Sequence, residues 1–205
     1  MTEFVAFPKI ARLNRDIVVT EKIDGTNAAV VVGEDAINPV VFAQSRSRML
    51  TPGKATDNFG FAAWVEQHRE ALALLGPGHH YGEWYGQGIQ RTYGLKERRF
   101  ALFSVMRWVV DETQAAVFKD VQSRVPGLET VPLMYRGSRL YSNFGENPDV
   151  ATDYIHRLQL DGSRAVPGFM QPEGIVVLHL ASKQLYKVTC EGDEQYKGAN
   201  AQSPS

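Results

Sequence analysis

Residues 17 to 32, IVVTEKIDGTNAAVVV, form an apolar run broken by Glu21, Lys22 and Asp24. Side chains alternate along an extended strand, so Lys22 and Asp24 are expected on one face and Glu21 on the other. Gly25 permits a sharp turn or a close approach of backbone to a ligand. A lysine among carboxylates in such a run has two readings. One is a salt bridge on an exposed strand, which is the commoner meaning of KxDG taken alone. The other is a nucleophile. A lysine amine must be neutral to attack, whereas a free lysine keeps its proton up to a pH of about 10. Burial and a nearby divalent cation favour the neutral form, with the carboxylates holding the cation and orienting the amine.

Four further segments carry groups of matching chemistry. AQSRSRML at 43–50 places Arg46 and Arg48 two apart, on one side of an extended chain and suited to phosphate or ribose. HYGEWYGQGIQRTYG at 80–94 sets Glu83 among aromatics and glycines, where a carboxylate can accept from ribose hydroxyls. RRFALFSVMRW at 98–108 puts Phe100 and Phe103 on opposite faces, one for the core and one free to stack on a purine. QPEGIVVLHL and QLYKVTC bring Glu173 and Lys187 onto adjacent apolar strands, a costly placement unless the charges are paired or used. Each segment alone is better read as surface charge, core packing or a cross-strand ion pair. The GQG lacks the GxGxxG pattern and GxxxxGK[ST] is absent, which disfavours a dinucleotide fold or a P-loop.

The elements that must position these groups are mostly strands. Strand-like runs occur at 17–22, 27–32, 39–44, 79–85, 100–110, 128–135, 173–180 and 184–190. GEDAIN and LASKQ are short enough for hairpins, so antiparallel pairing is expected. Apolar spacing predicts a helix over 59–75, capped by Asn58 and ended by GPG. A second helix is expected from NPDV, with Asn147 as cap, Pro148 as first residue and Val150, Tyr154 and Leu158 buried. A third is expected at 112–124. His79 and His80 point to opposite faces, one for packing and one for the surface. The fold class is α+β.

The chain has 205 residues, a formal net charge of −1 and one cysteine, Cys190. A sizeable core is affordable at this length, and an internal disulfide is excluded. The N-terminus lacks the pattern of a signal peptide and no run is long enough to span a bilayer, so a cytoplasmic protein without a membrane partner is expected. The even charge leaves any nucleic-acid partner to a local patch.

Taken in order, KIDGTN, QSR, YGEWYGQGIQ, FALFSV, PEGIVV and YKVT match the motif series of the covalent nucleotidyltransferases. The chain resembles the RNA ligases of that superfamily, in particular the type-two branch that contains the trypanosome editing ligases. The likeness runs from about Thr20 to about Cys190. It implies two antiparallel sheets packed around a nucleotide with flanking helices, an ATP-grasp-like arrangement. It also implies an adenylation domain over 1–195 and no OB or other C-terminal domain; the polar, small-residue composition of the tail makes 196–205 an expected disordered segment.

The resemblance implies ATP and Mg2+ or Mn2+ as cofactors and RNA ends, nicked or single-stranded, as partner. Lys22 would form lysyl-AMP, AMP would pass to an RNA 5′-phosphate, and a 3′-hydroxyl would seal the strands, as in RNA repair. Glu21 would hold adenine through its backbone, within a nucleotide site that includes Gly25. Arg46, with Arg48 in reserve, would contact ribose or phosphate. Glu83 would bind the ribose, Phe103 would stack on adenine and Lys187 would neutralise the α-phosphate. Asp24 and Glu173 would serve the metal. Two positions depart from the family: Thr189 replaces a second lysine, for which Lys183 or Lys197 would substitute, and Ser104 replaces an acid. These departures and the even charge keep open a lapsed nucleotide- or RNA-binding module, and the expected lack of a C-terminal RNA-binding domain keeps open a nucleotidyltransferase acting on another acceptor.

Overall fold

The computed structural model describes residues 3–35, 37, 39–53, 55–140 and 149–191. Asp16–Lys22 (β1), Thr26–Val32 (β2), Val41–Ser45 (β3) and Met49–Leu50 (β4) come first. Helices Phe61–Gln67 (α1) and Arg69–Ala73 (α2) follow, then strands Gly78–Gly86 (β5) and Arg98–Leu102 (β6). A π-helical turn, Met106–Val110, leads into helix Glu112–Arg124 (α3). Strands Leu128–Thr130 (β7) and Leu133–Ser138 (β8), helix Val150–Asp161 (α4), and strands Gly174–His179 (β9) and Gln184–Thr189 (β10) complete the described fold.

The strands form two sheets, ordered β10-β9-β1-β8 and β4-β3-β2-β5-β6-β7. Every pairing is antiparallel except β6 with β7, which run parallel over three residues. The pleat assigns each strand two duties. In the larger sheet Ala28, Val30, Val32, Val41 and Ala43 turn outward and pack with Phe61, Val65, Leu72 and Phe118 of the helices. In the smaller sheet Ile17, Val19, Ile175 and Val177 pack against Val150, Tyr154 and Leu158 of α4. The inner faces meet through Val18, Ile23, Tyr85, Ala101 and Val131. No helix among the described residues is long and apolar enough to cross a membrane.

Several sequence expectations need correction. The run 100–110 is not one strand. The chain leaves β6 at Leu102, and the N–H groups of Arg107 and Trp108 both donate to the Ser104 carbonyl. Trp108 is buried beside Phe118, so its apolar character serves helix packing. The run 128–135 is divided by Val131 and Pro132. The helix expected over 59–75 is two, interrupted at His68 with φ −110° and ψ 16°. Asn58 does not cap it, since Asn58 has φ +49° and Gly60 holds the cap position. The cap of α4 is Asp149, whose carboxylate accepts from the Ala151 N–H; Asn147 and Pro148 lie outside the described residues, as does the expected tail. The helix at 112–124 and the burial of Val150, Tyr154 and Leu158 match expectation, as do buried His80 and exposed His79.

Helix α3 is capped by Asp111, whose Oδ1 accepts from the Gln114 N–H at 3.0 Å. Loss of an N-cap acceptor costs about 1 kcal/mol. Asp111→Ala is therefore expected to lower the melting temperature by about 2–4 °C and Asp111→Asn by less, read by circular dichroism.

Candidate active site between the two sheets

A cavity of about 720 Å3 opens between the inner faces. Lys22 ends β1 on its wall, beside Thr20. The pairing of Lys22 with Gly174 brings in the residue before it, Glu173, and the Glu173 carboxylate sits 2.5 Å from Lys22 Nζ. Both side chains are largely shielded from water, at 26% and 18% exposure. The ion pair forms between motifs 151 residues apart in the chain, and the backbone N–H of Cys190 donates to the Glu173 carbonyl at 2.9 Å.

Opposite Lys22, β5 presents Glu83 to the cavity, 7% exposed. Asn27 Nδ2 donates to Glu83 Oε2 at 2.8 Å from the neighbouring strand. Burial pushes the Glu83 carboxyl up to about 7, against the opposing pull of Lys22 and the Asn27 amide. Phe100 is fully buried in the outer core, whereas Phe103 is 40% exposed and lines the cavity. The Phe103 N–H donates to the Tyr81 carbonyl, which extends the sheet by one bond and turns the ring over the cavity floor.

The arginines separate. β3 ends at Ser45, and Arg46 to Arg48 form the turn of a tight hairpin, closed by Ser45 N–H to the Arg48 carbonyl at 2.8 Å. The two therefore do not share the face of an extended strand. Arg46 reaches the cavity, and Arg48 turns back toward the Ala55 carbonyl. Lys187 pairs with Val176, itself a cavity residue, so it stands on the inner face. It is exposed rather than buried, because β10 is the edge strand, and Glu173 pairs with Lys22 in its place. Lys183 lines the cavity from the β9–β10 turn, Thr189 Oγ1 donates to the Glu191 carbonyl, and Lys197 lies outside the described residues.

Asp24 is the main departure. The strand stops at Lys22, so alternation does not carry on to Asp24. Its carboxylate accepts from Arg91 Nε at 3.1 Å, and its N–H donates to the Tyr93 hydroxyl at 2.8 Å. Arg91 Nη1 also donates to the Gln171 carbonyl, two residues before Glu173. Gly25 makes its close approach to protein, not ligand: a Cβ there would meet the Trp84 carbonyl at 2.5 Å and Tyr85 Cβ at 2.8 Å.

Glu21 behaves differently again. Its N–H already donates to the Pro132 carbonyl, so that donor is not free for a base. Its side chain, 1% exposed, turns away toward α4. There it accepts from Ser163 Oγ at 2.6 Å and from the N–H groups of Arg164 and Ala165 at 2.7 and 2.9 Å. Burial raises its carboxyl, and these three donors pull the other way.

Sequence reasoning missed Asn27, Arg91 and the 163–165 loop. Asn27 was within reach, since it faces Glu83 in the strand that follows Gly25. Arg91 and Ser163 carry no local signal, being 67 and 142 residues from their partners.

The Glu83 shift favours the neutral form in the folded state. The stability this group contributes is complete below the ordinary carboxyl value of 4.5 and is lost as pH rises through about 7. Wild-type protein is expected to melt lower at pH 8 than at pH 5, and Glu83→Gln is expected to flatten that difference, measured by scanning calorimetry.

The family model "RNA ligase" matches residues 15–189. No curated protein matches the chain significantly. Among solved structures, two variants of a Naegleria gruberi RNA ligase with ATP and Mn are similar. One has 18% identity and a TM-score of 0.57, the other 17% and 0.59, each over 87% of this chain and 50% of that one. A third variant, with AMP and Mn, has 17% identity and a TM-score of 0.57 over 86% and 50%. The chain thus spans about half the length of these ligases and shares their fold. The match over 15–189 covers every motif that frames the cavity, and the chain belongs to the RNA ligase family.

Proposed function

We propose that this chain is an ATP-dependent RNA ligase-type adenylyltransferase. Lys22 Nζ attacks the α-phosphorus of ATP, the bond to pyrophosphate breaks, and a lysyl-AMP phosphoramidate remains. AMP then passes to an RNA 5′-phosphate, and a 3′-hydroxyl displaces it to join the strands. The observation that carries this reading is Lys22 held 2.5 Å from Glu173 at the wall of a cavity that also takes in Glu83, Arg46 and Phe103.

Each residue has a stated task. Glu173 fixes Nζ toward the cavity and is the nearest acceptor for the proton that attack releases. Glu83 accepts from ribose hydroxyls, with Asn27 holding its second oxygen. Phe103 stacks on adenine, against a floor that includes Val176 and Leu178. Arg46 and Lys187 meet the charge that grows on the phosphate oxygens. Asp24 acts through Arg91, anchoring the segments on either side of Lys22 and Glu173.

Among the described residues no three His, Cys, Asp or Glu side chains converge as a ready-made metal cluster. The Glu173 carboxylate beside Lys22 suits a cation that keeps several waters and takes few protein ligands. Glu173 would hold magnesium or manganese. When bound, the cation neutralises phosphate charge and favours the neutral amine. The Naegleria structures with ATP or AMP and Mn support this choice of nucleotide and metal.

Incubation with α-labelled ATP and magnesium is expected to leave an acid-labile label on the denatured protein, absent in Lys22→Ala. An unlabelled wild-type band with ATP binding intact would sink the proposal in favour of a binding module. Label without joining of nicked or single-stranded RNA would assign another acceptor. Arg91→Ala is expected to slow labelling about tenfold or more with little change in the ATP concentration at half rate, because it misplaces Lys22 and Glu173 rather than removing a nucleotide contact. Arg91→Lys should recover part of the loss.

A further inference from the structure

The inner face of the larger sheet continues past the nucleotide groups to an uncovered lip. Val31 pairs with Phe42 on one side and His79 on the other, and Ala29 pairs with Gln44 and Tyr81. Phe42, His79 and Tyr81 therefore stand on one face in neighbouring rows. Phe42 is 47% exposed and Tyr81 54%, and His79 is exposed as well. The His79 and Tyr81 rings are stacked, with centroids 5.8 Å apart and planes 15° from parallel. Phe42 and His79 are two strand spacings apart, about 10 Å, so a base has room to lie over Val31 between them. The outward neighbours on the same strands, Val30, Val32, Val41 and Ala43, are buried, so the lip is open on a firmly packed sheet.

Unpaired cations share the same opening. Arg46 projects from the β3–β4 turn and Lys183 from the β9–β10 turn, and neither has an ion-pair partner among the described residues. The carboxylates among the cavity-lining residues are Glu83, held by Asn27, and Glu21, turned away to the 163–165 loop. Exposed rings next to free cations meet the two needs of a single-stranded polynucleotide: faces for its bases and charge for its phosphates. A duplex keeps its base faces stacked on one another and offers the rings nothing.

We propose that Phe42, His79 and Tyr81 form a stacking lip for unpaired bases of the polynucleotide strand whose end enters the cavity, with Lys183 and Arg46 meeting its phosphates. This deepens the ligase reading of the same cavity and rests on it. The lip makes an unpaired end, rather than a sealed duplex flank, the form in which the strand is bound.

The test is fluorescence anisotropy of the full chain with a short 5′-phosphorylated RNA labelled at its 3′ end, alone and annealed to its complement. Wild type is expected to bind the single strand more tightly. The double variant Phe42→Ala, His79→Ala is expected to lose about tenfold or more in single-strand affinity, while duplex binding and AMP labelling at Lys22 stay as in wild type. Phe42→Trp should keep or improve single-strand binding. Unchanged single-strand affinity in the double variant, an equal loss for the duplex, or no wild-type preference for the single strand would each overturn the lip. Absence of AMP labelling in wild type, with the variant's loss of strand affinity still present, would remove the ligase reading and leave the lip standing.

Discussion

The pleat of β1 governs the site. β1 lies between β9 and β8, so both of its edges are committed to hydrogen bonds and its faces point to different compartments. Val18, Thr20 and Lys22 turn to the cavity, while Ile17, Val19 and Glu21 turn to α4. A slip of one residue would exchange these sets and bury Lys22 against the helix. The carboxylate of Glu21 guards against it. Buried without donors, such a charge would cost several kcal/mol. In the native register it receives three hydrogen bonds from residues 163–165. The residue beside the candidate nucleophile thus secures the strand by facing away from the chemistry.

Glu173 depends on the same register. It precedes Gly174, the residue paired with Lys22 on one side and Thr189 on the other. A side chain at Gly174 would collide with the Val188 carbonyl, so only glycine lets the three strands close up at this point. Arg91 completes the framework by joining Asp24, just beyond Lys22, to Gln171, just before Glu173. The loop that delivers Arg91 holds Gln90, Thr92 and Tyr93 at φ +44°, +55° and +55°. Non-glycine residues in that region carry strain, and here the strained loop spans the gap between the two sheets.

The cavity acquires its chemical character by contrast with its surroundings. Its walls are largely apolar, from Val18, Val176, Leu178 and Phe103, with a few polar groups set among them. Low polarity is what holds the Glu83 carboxyl up to about 7. It also strengthens the attraction between Lys22 and Glu173 relative to a pair in water.

Much of this was legible in the sequence. The strands bearing KIDGTN, YGEWYG and EGIVV follow from apolar runs punctuated by glycine, and a helix over 112–124 is expected from the sequence, although its Asp111 cap emerges only in the structure. The motif order singles out Lys22, Glu83, Phe103 and Glu173. Less legible was whatever depends on where a strand stops. SVMRWVV is as β-prone as a strand, yet it turns into a π-helical segment because Trp108 is claimed by the helical core. Asp24 falls just past the end of β1 at Lys22, so its partner is Arg91 rather than the cavity. The sequence by itself determined which side chains carry charge and which strands can bury a face, because those follow from residue type and local periodicity. Only the tertiary structure decided which charges meet. Lys22 with Glu173, Glu21 with Ser163 and Asp24 with Arg91 are set by strand register and loop path across long separations, and no local pattern encodes them.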